Sequence, residues 1–77
     1  MMQKVRRYIE IYSNVTDEIL LRIEIKIGAN QIKEFISIDS DDPDVLGVYS
    51  LNDNDLKKFG ITNYDETSIS FFITSEL

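Results

Sequence analysis

The stretch SIDSDDPDVLGVYSL, residues 37–51, carries four aspartates in six positions: Asp39, Asp41, Asp42 and Asp44. Carboxylates at this density can chelate a hard cation, attract a basic partner, or simply solvate a loop. The cation reading is the easiest to test on sequence. An EF-hand loop needs oxygen ligands at positions 1, 3 and 5, glycine at 6 and glutamate at 12. Counted from Asp39, positions 1 and 3 fit, but Pro43, Asp44 and Ser50 occupy positions 5, 6 and 12. Counted from Asp53, Asp55 fits position 3 and Lys57 takes position 5. Neither register specifies a calcium loop, which leaves weak cation condensation or a basic partner.

Other chemistries lack their residues. The chain has no histidine and no cysteine, so Ser-His and Cys-His nucleophiles, thiol chemistry and zinc ribbons are excluded. Gly28, Gly47 and Gly60 lie too far apart for a phosphate-cradling loop. Carboxylate pairs do acid–base work only in a cleft that perturbs them, and 77 residues with acids crowded into a loop give little room for one. No catalytic activity, cofactor or metal is expected. The charge balance narrows the partners further. Net charge is −6, and it is uneven: residues 1–33 hold six basic and four acidic side chains, residues 34–77 two basic and ten acidic. An acidic half of this kind disfavours nucleic acid and anionic membrane surfaces, both of which call for Lys and Arg.

The elements that must position these residues follow from periodicity. Residues 4–13 and 19–27 alternate with period two, the second as ILLRIEIKI, and the short link NVTDE suits a hairpin. Ile19, Leu21, Ile23, Ile25 and Ile27 are expected on one face of the second strand; Tyr8, Glu10 and Tyr12 lie on the wetter face of the first. Ile32, Phe35 and Ile36 give one stripe of a short helix over 30–37, with Asn30 as a possible N-cap. LGVYSL reads as a brief strand. The next helix, 53–59, is well punctuated. Asn52 can cap it, Asp53 and Asp55 favour its first turn, and Leu51 with Leu56 makes a hydrophobic staple. Gly60 sits where a left-handed C′ residue is wanted, and Ile61 can close a Schellman ending. Residues 68–74 form a last strand with Ile69, Phe71 and Ile73 on one face.

The expectation is one α+β domain over 1–77, in the order β-β-α-(β)-α-β. A small antiparallel sheet of three to four strands carries two short helices on one face. Its core is expected to hold Ile9, Ile11, Leu21, Ile23, Phe35, Leu56 and Phe71. Strand order and oligomeric state stay open. No secretory signal or spanning segment is visible, and the absence of cysteine suits a reducing compartment, so a cytoplasmic location is expected.

SLNDNDLKKFGIT resembles the central stretch of SAM domains, but the hairpin over 4–28 contradicts that all-helical fold. A longer resemblance spans most of the chain. RRYIEIYSNVTDEILLRIEI, IKEFISIDSDDP, VYSLNDNDLKKFG and YDETSISFFIT together resemble small acidic bacterial immunity proteins, of the kind encoded beside polymorphic and contact-dependent inhibition toxins. The resemblance implies a cytoplasmic protein that binds and neutralises one cognate toxin domain, of nuclease type, by filling its basic active site with an acidic surface. The implied contact residues are Asp39, Asp41, Asp42 and Asp44, then Asp65 and Glu66, with Tyr8, Tyr12 and Leu20 as a second patch on the hairpin. Two alternatives remain: an adaptor-type interaction domain with no toxin, and a cation-binding module.

Overall fold

Alternating isoleucines and charged residues draw the first third of the chain into a hairpin. In the computed structural model, which describes residues 5–76, β1 (Arg6–Ser13) pairs antiparallel with β2 (Ile19–Ile25). Lys4, part of the expected hairpin, lies outside the described residues. Ser13 organises the turn: its hydroxyl accepts from the Val15 and Thr16 amides, each at 3.1 Å, and Asp17 takes the left-handed conformation at φ 61°. α1 (Ala29–Phe35), β3 (Tyr49–Leu51), α2 (Asp53–Lys58) and β4 (Ile69–Glu76) follow. β4 runs antiparallel to β1 along its whole length and to β3 on its other side, so the sheet order is β2-β1-β4-β3. This is the expected α+β architecture, a four-stranded antiparallel sheet with two short helices.

α2 forms as its local signals dictate. Asn52 accepts from the Asp55 amide at 2.9 Å, and the Asp55 carboxylate accepts from the Asn52 amide, closing a capping box. At the other end Gly60 has φ +80°, and the Ile61 amide bonds the Leu56 carbonyl while the Gly60 amide bonds that of Lys57. That is the Schellman pattern. α1 differs from expectation. It starts one residue earlier, at Ala29, and Gly28 holds the extended cap conformation (φ −88°, ψ 170°). Asn30 therefore lies inside the helix and cannot cap it.

One buried cluster unites the odd-numbered sheet face with the helices: Ile9, Phe71, Ile73 and Leu51 from the strands, Ile32 and Leu56 from the helices, and Ile36 and Val45 from the segments after α1. Ile11 and Phe35 pack partly buried against it, and the Phe35 ring meets Phe59 edge-on at 5.1 Å. Two expected core residues do not belong. Leu21 is 52 % exposed and Ile23 44 %. The reason is strand order: β2 is the outer strand, and the buried cluster is built over β1, β4 and β3. Truncating Ile23 is thus not the 2–4 kcal/mol core deletion its periodicity suggests. A bulge also breaks the alternation of β2. Leu21 pairs with Ile11 but Ile19 with Tyr12, leaving Leu20 unopposed. Ile19 therefore shares the face of Tyr12, not that of Leu21.

Candidate functional site

The aspartate loop owes its shape to two side chains. Asp42 turns its carboxylate inward along its own loop. It accepts from the Leu46 amide at 2.8 Å, the Gly47 amide at 2.9 Å and the Tyr49 hydroxyl at 2.5 Å. These bonds, the Tyr49 hydroxyl foremost and then the two amides, hold Asp42 below the usual carboxylate range. The same contact pushes the Tyr49 phenol up to about 12. The second side chain is Arg7, on the core-facing side of β1 and only 6 % exposed. Its guanidinium donates to the Asp44 carbonyl at 2.9 Å, the Val45 carbonyl at 3.2 Å and the Ser75 hydroxyl at 3.1 Å. Ser75 in turn donates to the Val45 carbonyl at 2.9 Å. Val45 is buried and takes φ 55°, a costly conformation for a β-branched residue that these tethers hold in place.

With its backbone fixed in this way, the loop presents the remaining carboxylates. Asp39, Asp41 and Asp44 are exposed, and their side chains make no hydrogen bond or ion pair among the described residues. Asp42, counted with them on sequence, is a structural acceptor instead. No group of three or more acidic side chains among the described residues could hold a metal ion.

Asp65 and Glu66 lie elsewhere. Asp65 accepts from the Thr67 hydroxyl at 2.6 Å, the Ser68 hydroxyl at 2.8 Å and the Thr67 amide at 3.0 Å, which lowers its pKa. It shapes the turn into β4 at Ile69, whereas the aspartate loop is tied to Ser75 at the opposite end of that strand. Six residues of strand separate these ends by about 20 Å. The acidic residues grouped on sequence therefore form two separate surfaces, and of the second pair only Glu66 is exposed without an internal hydrogen bond among those described.

Tyr8 and Tyr12 stand on the sheet face away from the helices, and the structure gives them company the sequence did not suggest. The Arg22 guanidinium lies 3.7 Å from the Tyr8 ring centroid and pairs with Glu10 at 2.9 Å and with Glu76. Tyr12 meets Phe72 edge-on at 5.5 Å and donates to Glu10 at 3.1 Å. Beside them lies an open depression of about 400 Å³, lined by Glu10, Tyr12, Val48, Ser70, Phe72 and Thr74. Thr74 is 8 % exposed and its hydroxyl has no partner among the described residues. Arg7 and Phe72 were missed on sequence. The one available signal was a basic residue on the apolar face of KVRRYIEI, and register alone brings Phe72 opposite Glu10.

Fold and surface together define a small two-layer α+β protein with one sheet face that no helix among the described residues covers and a braced acidic loop. The chain belongs to the family described as "Domain of unknown function (DUF7683)", whose model matches residues 6–74. No curated protein and no solved structure matches it. No helix among the described residues is long and apolar enough to cross a membrane.

Proposed function

We propose that this chain is a cytoplasmic immunity-type protein that binds a basic bacterial toxin domain, of nuclease class, and blocks its active site with the 39–44 loop. The observation that carries this reading is the loop itself: three carboxylates without partners among the described residues, Asp39, Asp41 and Asp44, on a backbone braced by Asp42 and Arg7. Holding like charges close together is repulsive. A positively charged cleft relieves that repulsion and is drawn in by the same field. A loop already braced loses little conformational entropy on binding. The proposed action is occlusion, with no catalytic step and no cofactor.

A second reading has its own support. The aromatic patch of Tyr8, Tyr12 and Phe72 on the bare sheet face fits an adaptor-type domain that docks through that face and meets no toxin. The two readings part in one experiment. The product of the adjacent upstream reading frame is expressed with and without this chain, scored for growth, and tested for co-purification. Rescue together with co-purification supports the immunity reading. Toxicity that this chain does not relieve contradicts it.

A further inference from the structure

The two edges of the sheet are unlike. β3 is three residues long and begins five residues after Asp44. β2 is seven residues long, has no proline, and carries Ile19, Leu20, Leu21 and Ile23 at 44–57 % exposure. It is hydrogen-bonded to β1 on one side only, and no strand among the described residues pairs with the other. Long apolar edges invite another strand, and proteins that stay monomeric blunt them. Among the described residues, the blunting features here are the bulge at Leu20 and the charges facing away from the apolar row.

We propose that a second copy of this chain occupies this edge, with β2 antiparallel to β2 across a two-fold axis at Ile23, forming one continuous sheet through both protomers. The register follows from parity, charge and the extent of β2, which ends at Ile25 and so leaves too little strand for an axis there. Residues directly opposite in an antiparallel pair share a face, so the axis must pass through a residue. An axis at Arg22 sets Arg22 against its own copy. An axis at Glu24 sets Glu24 against itself and Arg22 against Lys26. An axis at Leu21 sets Glu18 against Glu24 and Arg22 against Leu20. With the axis at Ile23, Arg22 faces Glu24 twice, Leu21 faces Ile25 twice, and Ile23 meets Ile23. No like charges oppose one another, and opposite charges directly across a strand pair are favourable. The bulge agrees with this choice. The regular part of β2 runs from Leu21 to Ile25, the segment centred on Ile23. In the single protomer Arg22 is turned inward onto Glu10, Glu76 and the Tyr8 ring, and Glu24 pairs with Lys26 at 3.3 Å, so both charges exchange these partners when the edges meet. The interface uses no residue of the 39–44 loop, so it stands or falls independently of the toxin reading.

Sedimentation equilibrium of the full chain up to about 100 µM, within reach of a modest edge-to-edge interface, tests the inference directly. The expected result is a concentration-dependent dimer. Ile23→Lys, which sets two like charges on the axis at an already exposed position, should weaken it at least tenfold, by roughly 1.4 kcal/mol, with circular dichroism unchanged. Register is read by cross-linking, since the chain has no cysteine of its own. Ile23→Cys places two thiols about 4.5–5.5 Å apart between Cα atoms, within disulfide reach, whereas Glu24→Cys places them diagonally, at roughly 7–8 Å, beyond it. Oxidation should therefore link the first variant and spare the second. A wild-type chain monomeric throughout the range overturns the proposal. So does a dimer indifferent to Ile23→Lys, or equal cross-linking of both cysteine variants.

Discussion

Arg7 is the side chain on which the shape of the acidic loop depends most, and Arg7→Met tests that dependence. Methionine keeps an unbranched stem of similar length, so the packing along β1 is largely retained while the guanidinium is lost. Three hydrogen bonds go with it, to the Asp44 carbonyl, the Val45 carbonyl and the Ser75 hydroxyl. A bond made by a charged group contributes about 1.5–3 kcal/mol, so their gross value is roughly 4–9 kcal/mol. Two effects reduce it. Burying a guanidinium costs several kcal/mol in desolvation, which methionine does not incur. The Val45 carbonyl also keeps the Ser75 hydroxyl as a donor at 2.9 Å, so one carbonyl, that of Asp44, loses its side-chain donor. The expected net loss is about 2 kcal/mol, close to the cost of one unsatisfied buried group. For a domain of this size that lowers Tm by roughly 8–16 °C. Urea unfolding followed by circular dichroism measures the loss. Hydrogen exchange localises it: the Leu46 and Gly47 amides, which bond Asp42, should lose more protection than the paired amides of β1 and β4. A loss below about 0.5 kcal/mol, well under one such bond, or exchange that rises uniformly, would refute the claim that Arg7 braces the loop.

Two further predictions concern pH and the helix terminus. Asp42 and Asp65 titrate below 3.8 when folded and return to that value unfolded, so the stability they contribute is present above it and is lost as pH falls through their folded values. Tyr49 and Tyr64 run the other way. Raised from 10.0 to about 12 by their bonds to Asp42 and Asp53, they contribute stability that is whole below pH 10 and lost as pH rises through 12. Tyr49→Phe should flatten the alkaline limb and Asp42→Asn the acid limb, read from unfolding curves and phenolate absorbance. Gly60→Ala should cost about 1 kcal/mol: an added Cβ would meet nothing within 4 Å, so the cost comes from φ +80° alone. A neutral result in urea would contradict the helix ending described for α2.

Local signals were legible because their causes lie within a few residues. The Asn52–Asp55 capping box and the Gly60 ending each involve neighbours in sequence, and each formed as read. Period-two alternation likewise told which residues share a face, Ile19 beyond the bulge excepted. It could not tell whether that face is covered, because coverage depends on strand order. The isoleucine row of β2 reads as core and stands at the sheet edge for that reason. The bulge at Leu20 was invisible for a related cause, since it exists only relative to β1. The candidate site was legible as a place and not as a set of roles. Four aspartates in six positions look equivalent in sequence. The Tyr49 hydroxyl, seven residues on, and two nearby amides single out Asp42, and Arg7 reaches the loop from 37 residues away. Asp65 and Glu66 read in sequence as part of the same acidic surface, and the length of β4 separates them from it.

The claim most in need of a direct test is that the 39–44 loop meets a basic partner. The measurement is association kinetics of Asp39, Asp41 and Asp44, all changed to Asn, against the product of the adjacent upstream reading frame at low and high salt, with Asp42 left native because it holds the loop. Exposed charges act mainly on the association rate and little on stability. The account predicts an unchanged circular dichroism spectrum, association slowed about tenfold or more at low salt, and a salt dependence much weaker than that of the wild type. Wild-type association rates with wild-type salt dependence in the triple variant would contradict it.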